Sequence, residues 1–381
     1  MDIIYQLFVI ILGFLSIYFF KGQLRKSDIK TLRWLWVYHL FFGYIFGIFF
    51  TGDAGYYWEK ASELNYDSFI ENLVSKFGTS FIISFNYFPA SALKMSYLSG
   101  TIAHTYFGFI GICMLYCIIL QLVPRNSYFG KIKIFPLIMF LPNLHFWTVS
   151  IGKDSTSFLF IIMFFYSLLN FKKRFLLGIL GVFLLYLIRP HVTLFALISF
   201  GIAYFFSSKA TKYQRIILTI LVLGMAIMIL PKLLEYSKID SLSTDNLDKF
   251  ANERAGLLNR ESTGSRLDVS SYPFVIKVFT FLYRPLFFDI NNVTAILASV
   301  ENLFLLLLTF KALKNKPFQA YKSAPLIIQS LIIFLIIGTL AFSQILSNMG
   351  IMLRMRNMFL PSLFLFILWA NYYGSKSLKS K

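Results

Sequence analysis

Thr51-Gly52-Asp53-Ala54-Gly55-Tyr56-Tyr57-Trp58-Glu59 follows directly on an apolar run, residues 34–50. An apolar segment of that length can cross a bilayer, so Asp53 falls where a membrane helix ends. Glycines stand on both sides of the carboxylate and free the backbone to turn or to approach a ligand. Tyr56, Tyr57 and Trp58 follow, as aromatic residues do at a membrane–water interface. Two readings stay open: a helix-ending turn with an aromatic anchor, or a catalytic or substrate-binding carboxylate held at the membrane surface.

The rest of the chain supports a membrane setting. Of 381 residues, 57% are hydrophobic and only 14% charged, the balance of a polytopic membrane protein. The formal net charge of +19 does not mark a nucleic-acid binder, because the basic residues form short clusters between apolar runs. Such clusters read as topology signals and headgroup contacts. Cys113 and Cys117 share one helix face inside an apolar run, a poor arrangement for a disulfide, and read as lipid- or core-facing. No basic n-region precedes the first apolar run, so no cleavable signal peptide is expected. No internal repeat or low-complexity segment is evident.

Apolar runs fall at residues 3–20, 34–50, 103–123, 134–147, 157–171, 175–188, 192–206, 216–230, 293–310, 326–346 and 358–373. Basic clusters mark alternate connections: Lys21 to Arg33, Arg125 to Lys133, Lys172 to Arg174, Lys209 to Arg215, Lys311 to Lys322, and the tail from Lys376. The positive-inside rule makes these cytoplasmic. The expected fold is all-α: a single membrane domain, 1–381, of about eleven spans, with the N-terminus outside and the C-terminus cytoplasmic. The run at 134–147 carries Pro136 and Pro142 and reads as kinked or re-entrant, which needs protein or a cavity around the freed backbone. Segment 51–100 is an outer loop in which Phe69, Ile70, Leu73, Val74 and Phe77 recur at helical spacing, an amphipathic helix lying on the surface. Segment 232–290 is a large extracytoplasmic loop.

On this map Asp28 is the one acid on the basic side and Glu301 lies within a span; the other acids face outward. Arginine, usually retained inside, is unexpectedly frequent outside: Arg189, Arg254, Arg260, Arg266, Arg284, Arg354 and Arg356. Guanidinium forks match phosphate oxygens bidentately. A polyprenyl phosphate or pyrophosphate carries its phosphates at this depth, with its tail in the bilayer. These arginines, with His191 of Arg189-Pro190-His191, are therefore candidate phosphate ligands. The alternative for each is snorkelling to headgroups or pairing with a nearby acid. Asp53, Asp154 and Glu301 are the candidate catalytic carboxylates, and Asp289 is a further acid of the outer face. A positioned carboxylate can take the proton of an attacking sugar hydroxyl, while arginine stabilises a leaving phosphate without a metal. Asp154 is expected to pair with Lys153, and Glu301 with an outer arginine or His104. Tyr56, Tyr57 and Trp58 can stack on sugar rings. His104, His145 and His191 lie near outer span ends without metal-binding spacing, so no metal or cofactor is expected. P-loop, dinucleotide and nucleophile-elbow motifs are absent.

Taken together, four short patterns resemble a known class. They are Gly52-Asp53-Ala54 with Tyr57, Phe146-Trp147 followed by Gly152-Lys153-Asp154-Ser155, Arg189-Pro190-His191, and Arg354-x-Arg356 with Pro361. The layout resembles polytopic enzymes of bacterial surface-glycan assembly: Wzy- and EpsG-type polysaccharide polymerases and related GT-C glycosyltransferases. The resemblance implies a polymerase that joins polyprenyl-pyrophosphate-linked oligosaccharide repeat units at the outer face of the bacterial inner membrane. It also implies membrane lipids and other envelope glycan-assembly proteins as partners, and no nucleic acid. It casts 232–290 as the arginine-bearing loop that handles the lipid-linked glycan. A GT-C transferase using a polyprenyl-phosphate sugar donor is the second reading; such enzymes often pair a second acid with the first, whereas here the next acid after Asp53 is Glu59. A non-enzymatic lipid or glycan transporter is the third, and it would place charged residues mid-span and show internal symmetry.

Overall fold

The computed structural model describes residues 1–125, 128–129, 132–207, 211–213, 215–217, 219–220, 222–225, 227, 267, 269, 272–290 and 292–379. The architecture is all-helical; among these residues the only sheet is a two-stranded ribbon pairing Tyr128–Phe129 with Ile132–Lys133. Five helices are long and apolar enough to cross a membrane: Asp2–Gln23, Lys26–Phe49, Tyr97–Leu122, Val293–Lys314 and Leu326–Ile345. A sixth is reached if Met349–Arg356 and Leu360–Lys376, bent by 64°, count as one broken span. The chain is thus a helical, membrane-embedded protein, with fewer clear spans than the eleven of the sequence map. The missing ones are short or interrupted. The run from 134 breaks at its prolines into α7 (Ile134–Leu137), a 3-10 turn (Ile138–Phe140) and α8 (Pro142–Thr148). The described part of the run at 216–230 belongs to the apolar helix Arg215–Met225, shorter than a full span.

Contacts divide the chain into two compact units, Met1–Gln121 with Pro136–Arg189, and Leu122–Phe135 with Pro190–Lys381. The first unit contains α1 (Asp2–Ser16), α2 (Lys26–Phe49), α3 (Gly52–Glu63), α4 (Tyr66–Ser75), α5 (Thr79–Phe85) and α6 (Tyr97–Leu122). It closes with α8, α9 (Lys153–Ser167) and α10 (Phe171–Ile188). Its centre is α9, in which every residue from Asp154 to Ser167 is buried. A helix enclosed on all sides is a core helix rather than a lipid-facing one. By contrast α1 exposes Ile3, Ile4, Phe8 and Leu15, the surface a bilayer would cover. Helices approach closely where side chains are small: a Cβ on Gly111 of α6 would stand 2.7 Å from the Phe158 ring of α9. Cys113 and Cys117 are buried free thiols, as the sequence reading expects.

Segment 51–100 is helical throughout most of its length rather than a plain loop. The expected amphipathic helix is α4, capped by the Asn65 side chain, which accepts from the Ser68 amide at 2.8 Å. It ends at Ser75, so Phe77 lies beyond it. Phe69 packs inward on Tyr87 at 4.5 Å, while Ile70 and Val74 are exposed.

The second unit contains α11 (Pro190–Phe205), α12 (Phe274–Tyr283), α13 (Val293–Lys314), α14 (Pro317–Ser323), α15 (Leu326–Ile345), α16 (Met349–Arg356) and α17 (Leu360–Lys379). Helix α15 packs against α11, α12 and α17, and α17 also meets α13. Gly338 gives the Phe359 ring its place, since a Cβ there would lie 2.0 Å from it. Side chains of Asn292 and Asn348 cap α13 and α16 by accepting from Ala295 and Ile351 amides. Backbone pairing of Leu267 with Ser347 at 3.0 Å anchors the chain ahead of α12.

Candidate functional site

The Gly152-Lys153-Asp154-Ser155 turn begins the buried helix of the first unit, so each of its polar side chains must find a partner. Gly152 sits at φ +124°, a backbone that side-chain-bearing residues rarely adopt. Its open face is covered by the Tyr57 ring: a Cβ on Gly152 would stand 2.7 Å from it. Lys153 reaches Thr79 at the start of α5, Nζ to Oγ1 2.8 Å. Asp154 accepts from Arg189 at 2.6 Å in an ion pair whose side chains are 5% and 7% exposed. Arg189 also donates from Nε to Ser157, one turn along α9, at 3.2 Å. Ser155 stands 2.8 Å from Nδ1 of His104. Four successive residues therefore engage α3, α5, the end of α10 and α6.

The contact through Tyr57 bears on Asp53. Asp53 lies in the first turn of α3, exposed, one turn before Tyr57 and on the same helix face. Seating Tyr57 on Gly152 thus brings the acidic end of α3 toward the amino end of α9. Its position two residues into α3 suits a carboxylate, because the free amides there favour negative charge. Gly52 supplies the entry turn at φ +47°. The arrangement offers an exposed acid that can take a proton, a half-buried lysine, and a desolvated carboxylate–guanidinium pair behind them.

Several expectations change here. Asp154 pairs with Arg189, a residue remote in sequence, and Lys153 donates to Thr79. Arg189 is buried with Asp154 and Ser157 rather than open to a ligand. Of Tyr56, Tyr57 and Trp58, Tyr56 is exposed, at 51%, while Tyr57 packs on Gly152 and Trp58 against Gly100, so neither of these two rings is open to a sugar. His145 does not join His104. Its Nδ1 meets Nδ1 of His39 at 3.0 Å and its Nε2 meets the Met139 carbonyl at 2.8 Å. Among the described residues no group of three or more His, Cys, Asp or Glu gathers as a metal site.

The remaining candidates belong to the second unit. Arg356 is buried and donates to the Leu282 carbonyl, closing the end of α12, and to Asn302 Oδ1 at 2.6 Å. Asn302 in turn donates to the Pro285 carbonyl at 2.8 Å. Glu301, also buried, lies within electrostatic reach of Arg356, an arginine partner as expected, whereas His104 is occupied in the first unit. Arg356 is thereby a brace across the α12–α13 turn and offers little to a phosphate in this conformation. Arg284 forms a two-pronged pair with Asp289, Nε to Oδ2 3.0 Å, and that hydrogen bonding holds its guanidinium above the usual pKa. His191 packs edge-on to Phe342 at 5.9 Å. Arg354 is half-buried on α16. Arg254, Arg260 and Arg266 lie outside the described residues. Asn86, Thr79, Ser157 and Asn302 were not singled out from sequence, and only Asn302, beside Glu301, carried any local signal.

Compared with protein-family models, curated proteins and solved structures, the chain matches none.

Proposed function

We propose that this membrane protein is a glycosyltransferase of bacterial surface polysaccharide assembly. In this reading it is a polymerase that joins polyprenyl-pyrophosphate-linked oligosaccharide repeat units at the extracytoplasmic face of the inner membrane. The observation that carries the reading is the seating of Tyr57 on Gly152. It joins the turn bearing an exposed acid, Asp53, to the turn bearing Lys153, Asp154 and Arg189. In the proposed reaction an acceptor sugar hydroxyl attacks the anomeric carbon of the donor glycan. The carbon–oxygen bond to the pyrophosphate breaks, the polyprenyl pyrophosphate leaves with that electron pair, and Asp53 takes the hydroxyl proton. Lys153 is the cation of this cluster nearest the surface and stabilises the developing phosphate charge. Arg354, in the second unit, is proposed separately as a phosphate ligand.

The test is Asp53→Asn. The amide keeps shape and cannot accept the proton, so long glycan is lost while protein level in membranes is unchanged. Wild-type glycan length from this variant at a normal protein level refutes Asp53 as the base.

A further inference from the structure

The short helix α5 touches the Gly152 turn at both of its ends. At its start, Thr79 Oγ1 receives Lys153 Nζ at 2.8 Å. Just before that, the Gly78 amide donates to the Leu187 carbonyl at 2.8 Å, two residues short of Arg189. At its finish, Asn86 meets His104 Nε2 at 2.9 Å through Oδ1. His104 then meets Ser155 Oγ at 2.8 Å and the Gly152 amide at 3.4 Å through Nδ1. Asn86, His104 and Ser155 are all buried.

The amide of Asn86 decides which way this chain of hydrogen bonds runs. Its Nδ2 donates to the Ile82 carbonyl at 2.8 Å, so Oδ1 is the atom presented to the imidazole. An amide oxygen only accepts, so the proton of a neutral His104 ring sits on Nε2. Nδ1 is left as an acceptor, facing the Ser155 hydroxyl and the Gly152 N–H, both donors. Ser155 has a second acceptor in the Ser150 carbonyl at 2.8 Å, and the Gly152 N–H keeps Nδ1 company when the hydroxyl turns that way. The ring thus donates toward α5 and accepts from the α9 turn, and no other proton placement suits both neighbours.

We infer that His104, oriented by Asn86, is a positioning residue that sets the Gly152–Asp154 turn on α5 and so fixes where Lys153 stands relative to Asp53. The inference rests on the transferase reading for its functional consequence, not for its geometry. Neither His104 nor Asn86 needs to touch substrate. Glutamine retains an amide donor and a carbonyl acceptor at nearly the reach of the imidazole; leucine retains neither and strands Asn86 Oδ1 in the interior.

The experiment has two readouts on the full-length chain. In the first, Lys153→Cys is combined with His104, His104→Gln or His104→Leu. The purified protein is treated with N-ethylmaleimide, and labelling of the peptide carrying position 153 is followed by mass. His104→Leu is expected to raise the labelling rate about tenfold, the scale of losing one buried donor–acceptor pair, and His104→Gln to leave it near that of the parent. In the second, with Lys153 intact, glycan length falls for His104→Leu and returns for His104→Gln. Equal labelling in the leucine and parent proteins overturns the positioning role, whatever the glycan shows. Raised labelling with wild-type glycan overturns its functional consequence. Loss of the transferase reading itself shows separately, as unchanged glycan from Asp53→Asn, and leaves the labelling result standing.

Discussion

Breaking the Asp154–Arg189 pair one charge at a time should cost far more than removing both charges. The side chains are 5% and 7% exposed and 2.6 Å apart, so water cannot take over for a missing partner. Arg189→Gln takes the charged partner from a buried carboxylate, and Asp154→Asn takes it from a buried guanidinium. Each single variant is expected to lose about 3–5 kcal/mol. The double variant carries two neutral amides able to bond each other and Ser157, and should lose no more than about 1 kcal/mol, because a buried ion pair and a well-packed neutral replacement are close in stability. The coupling energy between the two positions is then at least about 5 kcal/mol. The assay is denaturant unfolding of the purified full-length protein in mild detergent, the two single variants and the double variant alongside the parent. Single losses below about 1 kcal/mol would be those of an exposed pair and would contradict the burial. Losses that simply add, within about 0.5 kcal/mol, would show that the two side chains do not act together and would refute the reasoning.

Arg356→Lys gives up the fork that joins Leu282 and Asn302, and is expected to lower stability by about 1–3 kcal/mol. Arg354→Lys, on the outward part of α16, should instead shorten glycan at unchanged stability and protein level, so equal behaviour of the two lysine variants contradicts this division. Gly152→Ala meets both a left-handed backbone and the Tyr57 ring, and should reduce folded protein in membranes. Adding Tyr57→Ala relieves the clash and not the backbone strain, about 1–3 kcal/mol, so the double variant should remain less stable than Tyr57→Ala alone, measured by the same unfolding assay.

Long apolar stretches were legible from the sequence because their length alone distinguishes them: α2, α6, α13 and α15 lie where hydropathy puts them. Apolar composition does not separate a helix that faces lipid from one that faces protein. That is why the stretch from 157 to 171 reads only as an apolar run, with no sign that α9 is the buried centre of its unit. The Gly152 turn was legible as a polar cap, and its partners were not. Thr79, His104 and Arg189 are remote in sequence, and nothing local links them to Asp154 or Ser155. Helix geometry separates Arg354 from Arg356: two positions apart they cannot share a face, and one is buried as a brace while the other is not.

On the proposed reading, the Asp53 cluster transfers glycan from a polyprenyl pyrophosphate. The most direct measurement places purified wild-type protein and Asp53→Asn in liposomes with lipid-linked oligosaccharide extracted from cells that make surface polysaccharide. Longer lipid-linked glycan and free polyprenyl pyrophosphate are then followed by mass spectrometry. Both products are expected from the wild type and neither from Asp53→Asn. Unchanged oligosaccharide with folded wild-type protein, or equal turnover by the two proteins, contradicts that reading.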